Sequence, residues 1–535
     1  MLPHLAAAVI LGTSLVLGSA ISRKLKRDDT LPTVALNYST VQAASSASNG
    51  AGTYYSFKNI RYAAPPVGDL RWAAPQDPEV EMIVNNGTWS TEGTGGCSTA
   101  EDCLFLDVYV PETALNGGQK LPVLFWNYGG GWVGGNKDVS PGGLFNVSNN
   151  GLIIVAYNYR RNGGVSNVAI WDAHKAMEWT YQYISRFGGD PEQITNWGFS
   201  AGASQVTFGG HAWTPRFKRA MINSPGWVPD AGHAGAERYL QNVTELVDCP
   251  WNDAATMSCL RNVSFATLLA ASNNITDTYS YQMQPRPDGV VLPDTSEYLL
   301  SIGQFHKNVT VMIGHSSNES TPTLSASLSS EDELRAELKT IFPTISTWAV
   351  DQAIALYPLL PATLAYGNVT YNYISNLGSA GHGSEQSYFW YDASPSDSSS
   401  SSSGTAMSGA SSTSNQTNTA AAASSSSSGY SSSSSGSGFV GNTGGSTGST
   451  STSANEAWLA KQMQEWIISF VTTGDPNELF GSNAASTNQN GTTINYWPQY
   501  GANSSVVAFG DSGFSIVGDE LDNEQVTWWN KALWY

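Results

Sequence analysis

The stretch ITNWGFSAGASQV, residues 194–206, contains the pattern G-x-S-x-G with Ser200 at its centre. A short apolar strand precedes the pattern, and the small residues that follow it can begin a helix. Between a strand and a helix, this pattern is the sharp turn that exposes a nucleophilic serine. The pattern alone is weak evidence in a chain with 53 glycines, because residues 444–448 (GGSTG) match it inside a Ser/Gly tract. Ser200 therefore also requires a base, an acid and an oxyanion hole.

Apolar runs typical of buried strands alternate with a helical pattern around Ser200. Residues 122–126 and 152–159 are such runs, and residues 167–187 place apolar side chains on one face before Gly188 ends the pattern. The same patterns recur later as a strand and an amphipathic helix, over 309–314 and 455–473. Strands that alternate with helices predict an α/β fold with a large, mostly parallel central sheet and helices on both faces.

A serine hydroxyl needs a neighbouring base to take its proton before it attacks. The chain has seven histidines, which are His4, His174, His211, His233, His306, His315 and His382. In the α/β-hydrolase fold the order along the chain is serine, acid, histidine. Only His382 lies well after every candidate acid, and its loop has glycines on both sides. His382 is therefore the predicted base, with a surface-loop histidine as the alternative.

The acid of such a site is expected at a strand end beyond the helix that follows Ser200. Glu319 lies five residues after Gly314, in the polar loop that ends the predicted strand NVTVMIG. Asp294, in VVLPDTSEY, is the main alternative from the residues alone.

Three consecutive glycines, residues 129–131, follow the predicted strand at 122–126. Glycine lets backbone N–H groups approach a ligand without a clash from Cβ, as an oxyanion hole requires. Ala201, directly after the serine, supplies a further N–H at a helix start. A tight turn is the alternative interpretation of the glycines.

The composition limits the classes of function. A net charge of −19 argues against nucleic acid as a partner, since phosphates would be repelled. Hydrophobic residues make up 41% of the chain, which is enough for a large core. The length of 535 residues by itself favours several domains.

The N-terminal sequence predicts a secretory signal peptide over residues 1–20. The apolar run 5–17 ends in small residues and is short for a bilayer span, which takes about 20 apolar residues. Lys26–Arg27 resembles a dibasic processing site, so residues 21–27 are a predicted propeptide and the mature chain begins at Asp28. No later segment is typical of a transmembrane helix or a lipid anchor.

Cysteines and glycosylation motifs agree with secretion. The even number of cysteines suggests disulfides with three possible pairings, and the absence of C-x-x-C argues against a zinc site. The N-x-[ST] sequons typical of an extracellular glycoprotein begin at Asn37, Asn86, Asn146, Asn242, Asn262, Asn274, Asn308, Asn318, Asn368, Asn415, Asn490 and Asn503.

Residues 393–453 consist almost entirely of Ser, Gly, Thr, Ala and Asn. Such a composition cannot bury enough apolar surface to offset chain entropy, so a disordered segment is predicted. A linker between domains is one interpretation. A long surface insertion is favoured, because the residues after it begin with a strongly amphipathic helix.

The chain resembles the type-B carboxylesterase/lipase family, which includes the cholinesterases, and in particular its fungal secreted members. The motifs that carry the resemblance occur in the family's order and are FKNIRYAAPPVGDLRW, EDCLFLDVYVP, LPVLFWNYGGGW, RFGGDPEQITNWGFSAGA, RFKRAMINSPG and MQEWIISFVTTGDPN. The resemblance implies one α/β-hydrolase domain over residues 28–535, interrupted at about 393–453. One departure is Phe199, which stands where the family often has a glutamate.

The resemblance also implies the roles of individual residues. It makes Ser200 the nucleophile, Glu319 the acid and His382 the base. The oxyanion donors it implies are the N–H groups of Gly130, Gly131 and Ala201, and it implies no metal or organic cofactor.

The resemblance pairs Cys97 with Cys103 and Cys249 with Cys259. In the family, the loop closed by the first pair carries the lid of lipases or the choline-binding tryptophan of cholinesterases. Here that loop is only Ser98–Asp102, without an aromatic residue. A site without a lid is therefore expected.

Together these observations predict a secreted serine hydrolase that cleaves small-molecule carboxylic esters, with no nucleic-acid partner and no stable membrane anchor. A lipase for longer acyl glycerides is one alternative. A weakly active or inactive esterase-like adhesion protein is the other, although such proteins typically lack the nucleophile.

Overall fold

A computed structural model gives the fold of the protein. It describes residues 31–88, 96–160, 167–212, 214–226, 233–279, 284–319, 330–342, 345–356, 370–392, 454–480, 486–487, 493–494, 496–501 and 504–519. The predicted signal peptide and propeptide lie outside these residues, as do the predicted insertion at 393–453 and the second G-x-S-x-G match at 444–448. The single-domain organisation stays a prediction.

The strands are β1 Thr33–Ala35, β2 Thr40–Gln42, β3 Ser45–Asn49, β4 Gly52–Arg61, β5 Phe105–Pro111, β6 Leu121–Asn127, β7 Ile153–Tyr157, β8 Gly189–Phe199, β9 Arg219–Asn223, β10 Thr310–Ser316, β11 Thr370–Asn376, β12 Ser486–Thr487, β13 Thr493–Ile494, β14 Ser505–Gly510 and β15 Gly513–Gly518. The helices are α1 Glu112–Leu115, α2 Gly142–Val147, α3 Val168–Tyr183, α4 Ala201–Ala212, α5 His233–Leu246, α6 Asp253–Asn262, α7 Phe265–Tyr279, α8 Ser296–Ser301, α9 Glu331–Ile341, α10 Thr347–Leu356, α11 Gln386–Phe389 and α12 Ala454–Thr473.

One large sheet organises the described part of the chain. Its strand order is β15-β14-β11-β10-β9-β8-β6-β7-β5-β4-β3. The strands from β14 through β7 in this order run parallel, and both margins are antiparallel. Helices α3 and α4 pack against β8, and α12 packs against β6 and α2. The predicted α/β class, with a mostly parallel sheet flanked by helices, is confirmed.

Strands β6 and β7 are apolar because both of their faces are buried in the sheet. Val123 and Ile153 are fully buried in neighbouring parallel strands, β6 and β7. The predicted helix after them is α3, continued by a 3-10 turn over Ile184–Phe187. It ends at Gly188, whose φ of 83° is the left-handed conformation that glycine adopts most readily.

Aromatic side chains pack β6 and β8 against the residue that ends α11, Trp390. Trp197 on β8 stacks on Trp390 at 5.4 Å between ring centroids, and Trp126 on β6 meets both indoles edge-on. Aromatic pairs in these arrangements add to the stabilisation from buried area. This packing fixes the carboxyl ends of β6 and β8, where the glycine loop and the Ser200 turn begin.

Candidate active site

Ser200 occupies a strained turn between β8 and α4. Its φ is 56°, a left-handed value that is uncommon outside glycine. The two motif glycines make the turn possible. A Cβ on Gly198 would lie 2.3 Å from the carbonyl oxygen of Gly202, and a Cβ on Gly202 would lie 2.1 Å from that of Asn127. The pattern G-x-S-x-G therefore reflects close packing of β6, β8 and α4 at this point.

His382 reaches Ser200 from a loop after β11. Its Nε2 lies 2.8 Å from the Ser200 Oγ. The loop is held by the N–H of Ala380, which donates to Leu377, and by the N–H of Asn318, which donates to Ala380. Gly383 follows with a φ of 82°, so the loop needs glycine there. The structure thus brings together the predicted nucleophile and base, which are 182 positions apart.

Glu319 follows β10 and lies against the other nitrogen of the same imidazole. Its Oε2 is 2.5 Å from the His382 Nδ1, and its Oε1 accepts from the backbone N–H of Ser316 at 2.6 Å. Asp294, the alternative acid, instead accepts from the N–H of its neighbour Thr295. Between the two candidates, the structure places Glu319 at the histidine.

The electrostatics of the pair favour an imidazole that binds a proton readily. Burial alone would lower the pKa of His382, but the hydrogen bond and the charge of Glu319 raise it above the usual value of 6.5. Burial alone would likewise raise the pKa of Glu319, and the contact with His382 lowers it instead. Both side chains are about a quarter exposed, at 27% and 26%, so solvent reaches the site.

The glycine loop lies directly against the Ser200 turn. A Cβ on Gly129 would be 2.7 Å from the Ser200 Cβ, and Gly130 and Gly131 have φ values of 116° and 60°. The N–H groups of Val133 and Gly134 both donate to the carbonyl of Gly130, which closes the turn. Ala201 is buried at the first position of α4. The predicted oxyanion donors therefore belong to two segments that meet at Ser200.

Phe199 and two glycines define the wall beside His382. The Phe199 ring lies 4.9 Å from the imidazole, measured between ring centroids and tilted by 33°. Cβ atoms on Gly129 and Gly383 would lie 3.0 Å and 2.9 Å from the same ring. The aromatic residue that replaces the family's glutamate thus fills the space between the glycine loop and the histidine loop.

Glu385 is a buried carboxyl next to the site that the sequence analysis missed. Its side chain accepts from the hydroxyls of Ser224 and Tyr373 at 3.4 Å and from that of Ser316 at 3.3 Å. Burial and the nearby charge of Glu319 raise its pKa to about 7. The available signal was its position three residues after the candidate base, in an otherwise small and neutral loop.

Ser224 and Ser316 connect the two carboxyls. The backbone N–H of Ser316 donates to Glu319 while its hydroxyl donates to Glu385. The hydroxyl of Ser224 likewise contacts Glu319 as well as Glu385. The protonation of Glu385 is therefore coupled to the candidate acid through two serines and to His382 through its charge.

The disulfides have the pairing that the resemblance implied, Cys97–Cys103 and Cys249–Cys259. The loop inside the first disulfide is fixed by ion pairs. Arg61 binds Asp102 through two hydrogen bonds of 2.6 Å and 2.7 Å, and Arg71 pairs with Glu101. Such bidentate pairs hold both partners in one geometry.

Within the described part of the chain, no group of His, Cys, Asp and Glu side chains is arranged to hold a metal ion. No helix in these segments combines the length and the apolar character needed to cross a membrane.

The long, mostly parallel sheet with a serine turn directly after β8 defines the α/β-hydrolase fold. A model of the carboxylesterase family matches residues 30–529, and the chain belongs to that family.

Known relatives are similar to the chain in sequence, and a solved structure is similar to it in fold. A secreted triacylglycerol lipase of Gibberella zeae is 30% identical over 63% of this chain and 66% of its own length. Carboxylesterase patB of Penicillium expansum is 28% identical over 54% of this chain and 65% of its own length. These matches thus cover slightly less than two thirds of either relative. The structure of Aspergillus niger EstA is similar in fold, with a TM-score of 0.68 at 21% identity over 94% of this chain and 98% of that one.

Proposed function

We propose that the protein is a secreted carboxylic-ester hydrolase that works through an acyl-enzyme on Ser200. The observation that carries the proposal is the continuous chain from the Ser200 Oγ to the His382 Nε2 and from the His382 Nδ1 to Glu319. Three residues from three separate segments have the contacts and order of a catalytic triad. The family assignment and the names of the two relatives support the same chemistry.

In the proposed mechanism, His382 takes the proton of Ser200 as the Oγ attacks the ester carbonyl. The carbonyl electrons move onto the oxygen, and the N–H groups of Gly130, Gly131 and Ala201 bind that oxyanion. The C–O bond to the alcohol then breaks, and His382 returns the proton to the leaving oxygen. Water, deprotonated by His382, releases the acid and restores Ser200. Glu319 keeps the proton on Nδ1 and stabilises the imidazolium.

Secretion and domain organisation are part of the proposal. The signal peptide proposed at 1–20 and the propeptide at 21–27 precede one catalytic domain at 28–535, with the insertion at about 393–453. The name of the Gibberella zeae relative, a secreted lipase, supports export.

The test is hydrolysis of a series of p-nitrophenyl esters of increasing acyl length by the full chain. We expect turnover that Ser200→Ala abolishes, with an unchanged melting temperature. Ser446→Ala is the matched control, because Ser446 occupies the same pattern in the Ser/Gly tract, and it should keep full activity. Inactivation by Ser446→Ala and not by Ser200→Ala would refute the proposal, and an inert wild-type chain would favour the adhesion alternative.

A lipase is the second candidate, since one relative bears that name. The short disulfide loop favours an esterase, because Ser98–Asp102 is pinned by Arg61 and Arg71 and cannot move over the site as a lid. We expect no rate jump when tributyrin passes its solubility limit. A sharp activation at that limit, or preference for the longest acyl chains, would indicate a lipase.

A further inference from the structure

We propose that Asn86 carries an N-linked glycan and that this glycan covers the exposed apolar segment Val80–Val84. The proposal rests on one part of the proposed function, which is secretion. It does not depend on the proposed catalytic residues. It concerns one of the sequons, N-G-T at residues 86–88, in a loop on the surface.

The sequon at Asn86 forms a closed turn. The hydroxyl of Thr88 donates to the Asn86 Oδ1 at 2.6 Å, and the backbone N–H of Thr88 donates to the same oxygen at 3.2 Å. Both residues are exposed. The turn occupies the oxygen of the carboxamide, and the nitrogen that would be modified lies on the other branch of that group.

Neighbouring residues clamp this turn so that Asn86 points away from the protein. Asn85 is 2% exposed, and its side chain donates to the carbonyl of Asn59 and accepts from the N–H of Gly87. The Asn59 side chain in turn donates to the carbonyl of Gly87. Gly87 has a φ of 85°, and a Cβ there would be 2.7 Å from that of Ala44. Asn85 and Gly87, on either side of Asn86, are therefore both held against the protein, while the Asn86 side chain stays exposed.

The segment directly before the turn exposes an unusual amount of apolar surface. Val80, Met82, Ile83 and Val84 are 70%, 91%, 70% and 48% exposed. Within the same segment, Glu81 is the residue that faces the protein. Its carboxylate accepts from the Ser39 hydroxyl and its N–H donates to the carbonyl of Tyr38. Exposed apolar runs of this kind are covered by a partner or cause association.

The glycan is the occupant that the structure favours. Asn86 lies two positions beyond Val84 on the same surface segment, so a bulky, hydrated oligosaccharide attached there begins next to the apolar side chains. A second copy of the chain and a different protein are the alternatives that the experiment separates.

Two other sequons show how different the Asn86 environment is. At Asn37 the amide oxygen accepts from Arg186, and the sequon's Ser39 hydroxyl is turned to Glu81. At Asn262 the side-chain nitrogen already donates to the carbonyl of Ser258. Neither of these sequons closes on itself as the one at Asn86 does.

The modification is a group transfer from a lipid-linked oligosaccharide diphosphate, the donor class of the secretory pathway. The Asn86 nitrogen forms a bond to the anomeric carbon, and the bond from that carbon to the diphosphate oxygen breaks. The diphosphate leaves with the electron pair, and the amide loses one proton. No atom is oxidised or reduced.

The first experiment maps glycans on the full chain, produced in a secreting yeast with the host's leader fused ahead of it. We expect N-glycosidase to convert Asn86 to Asp in nearly all molecules, and Asn86→Gln and Thr88→Ala to remove that glycan completely. Thr88→Ser keeps the hydroxyl and should keep the glycan, and Asn37→Gln should leave Asn86 occupancy unchanged. An unmodified Asn86 in the secreted protein overturns the proposal.

The second experiment tests the cover over Val80–Val84 with an apolar fluorescent dye and light scattering. Asn86→Gln should bind more dye and associate with rising concentration, and adding Met82→Ser and Ile83→Ser should return both signals to the wild-type level. Equal dye binding with and without the glycan, or a dimer in the glycosylated wild type that buries this segment, overturns the shielding role. Ester hydrolysis is measured on the same samples, so an inactive but glycosylated chain refutes the proposed catalysis alone.

Discussion

Asp107 and Glu385 are both completely buried carboxyls, yet the structure shifts their pKa values in opposite directions. Asp107 lies between Lys137 and Lys58, each at 2.8 Å, and these cations lower its pKa even though burial would raise it. Glu385 has hydroxyl partners, and burial raises its pKa to about 7. The charge of the partners, and not the depth of burial, decides whether a buried carboxyl keeps its proton.

The two clusters are suited to different tasks. The Asp107 cluster tethers the chain beyond the glycine loop, since Lys137 also donates its backbone N–H to Asn158. Because Lys58 and Lys137 lower the pKa of Asp107, this carboxylate stays ionised at neutral pH. The Glu385 cluster adjoins the triad and changes its charge near neutral pH. The contrast predicts that substitutions in the first cluster change stability and that substitutions in the second change catalysis.

The largest effect is expected for the acid of the triad. Glu319→Gln should lower kcat by about 10³- to 10⁴-fold, because a neutral amide cannot stabilise the imidazolium or keep the right tautomer. Asp294→Asn is the matched control and should retain activity. Single-turnover and steady-state kinetics on an activated ester measure both. An active Glu319→Gln together with an inactive Asp294→Asn would transfer the role to Asp294.

Stability should respond most to the Asp107 cluster. Lys137→Met removes one of the two cations that offset the burial of the Asp107 carboxylate, and it should lower the free energy of unfolding by about 3 kcal/mol. Lys461→Met, which removes an exposed partner of Glu465, should change it little. Urea denaturation followed by fluorescence measures both variants. Equal, small effects would mean that Asp107 does not depend on Lys137.

Glu385→Gln should move the pH profile and preserve the fold. Ionised Glu385 raises the pKa of His382, so the amide should shift the acid limb of kcat/KM to lower pH. The raised pKa of Glu385 also means that it stabilises the folded state below its unfolded pKa and that this contribution is lost as pH rises towards about 7. In Glu385→Gln the free energy of unfolding should therefore fall less steeply over this pH range than it does in the wild type.

Glu465→Gln, on α12, is the control for this titration, and its pH–rate profile should match the wild type. An acid limb that stays in place in Glu385→Gln would show that the charge of Glu385 is not coupled to His382.

The smallest effect is expected at Phe199. An aromatic contact contributes about 0.5–1.5 kcal/mol, so Phe199→Leu should lower kcat by a few-fold to roughly tenfold as His382 loses its packed face. KM and the melting temperature should change less. Phe145→Leu, which alters the contact of a buried ring with Tyr54 on another part of the sheet, should lower stability and leave kcat unchanged. If Phe199→Leu lowered stability and left kcat unchanged, Phe199 would have a structural role only.

The sequence by itself determined the main architecture and much of the candidate site. The apolar runs that became β6 and β7, and the helical spacing that became α3, are local signals that depend on which faces are buried. The glycines around Ser200 predicted the turn, because a side chain at Gly198 or Gly202 would clash where β8, α4 and β6 approach each other. The scarcity of histidines singled out His382.

Only the tertiary structure shows that Glu319, and not Asp294, lies against His382, because this contact depends on which loop meets the histidine. It also revealed Glu385, whose protonation depends on hydroxyls from β10, β11 and the segment after β9 that no spacing along the chain connects. The hydrogen bonds that hold Asn86 outward also depend on tertiary structure, because Asn59 and Asn85 meet only when the chain has folded. Local patterns encode which surface a segment buries, whereas pKa values and the exposure of single side chains arise from contacts between distant segments.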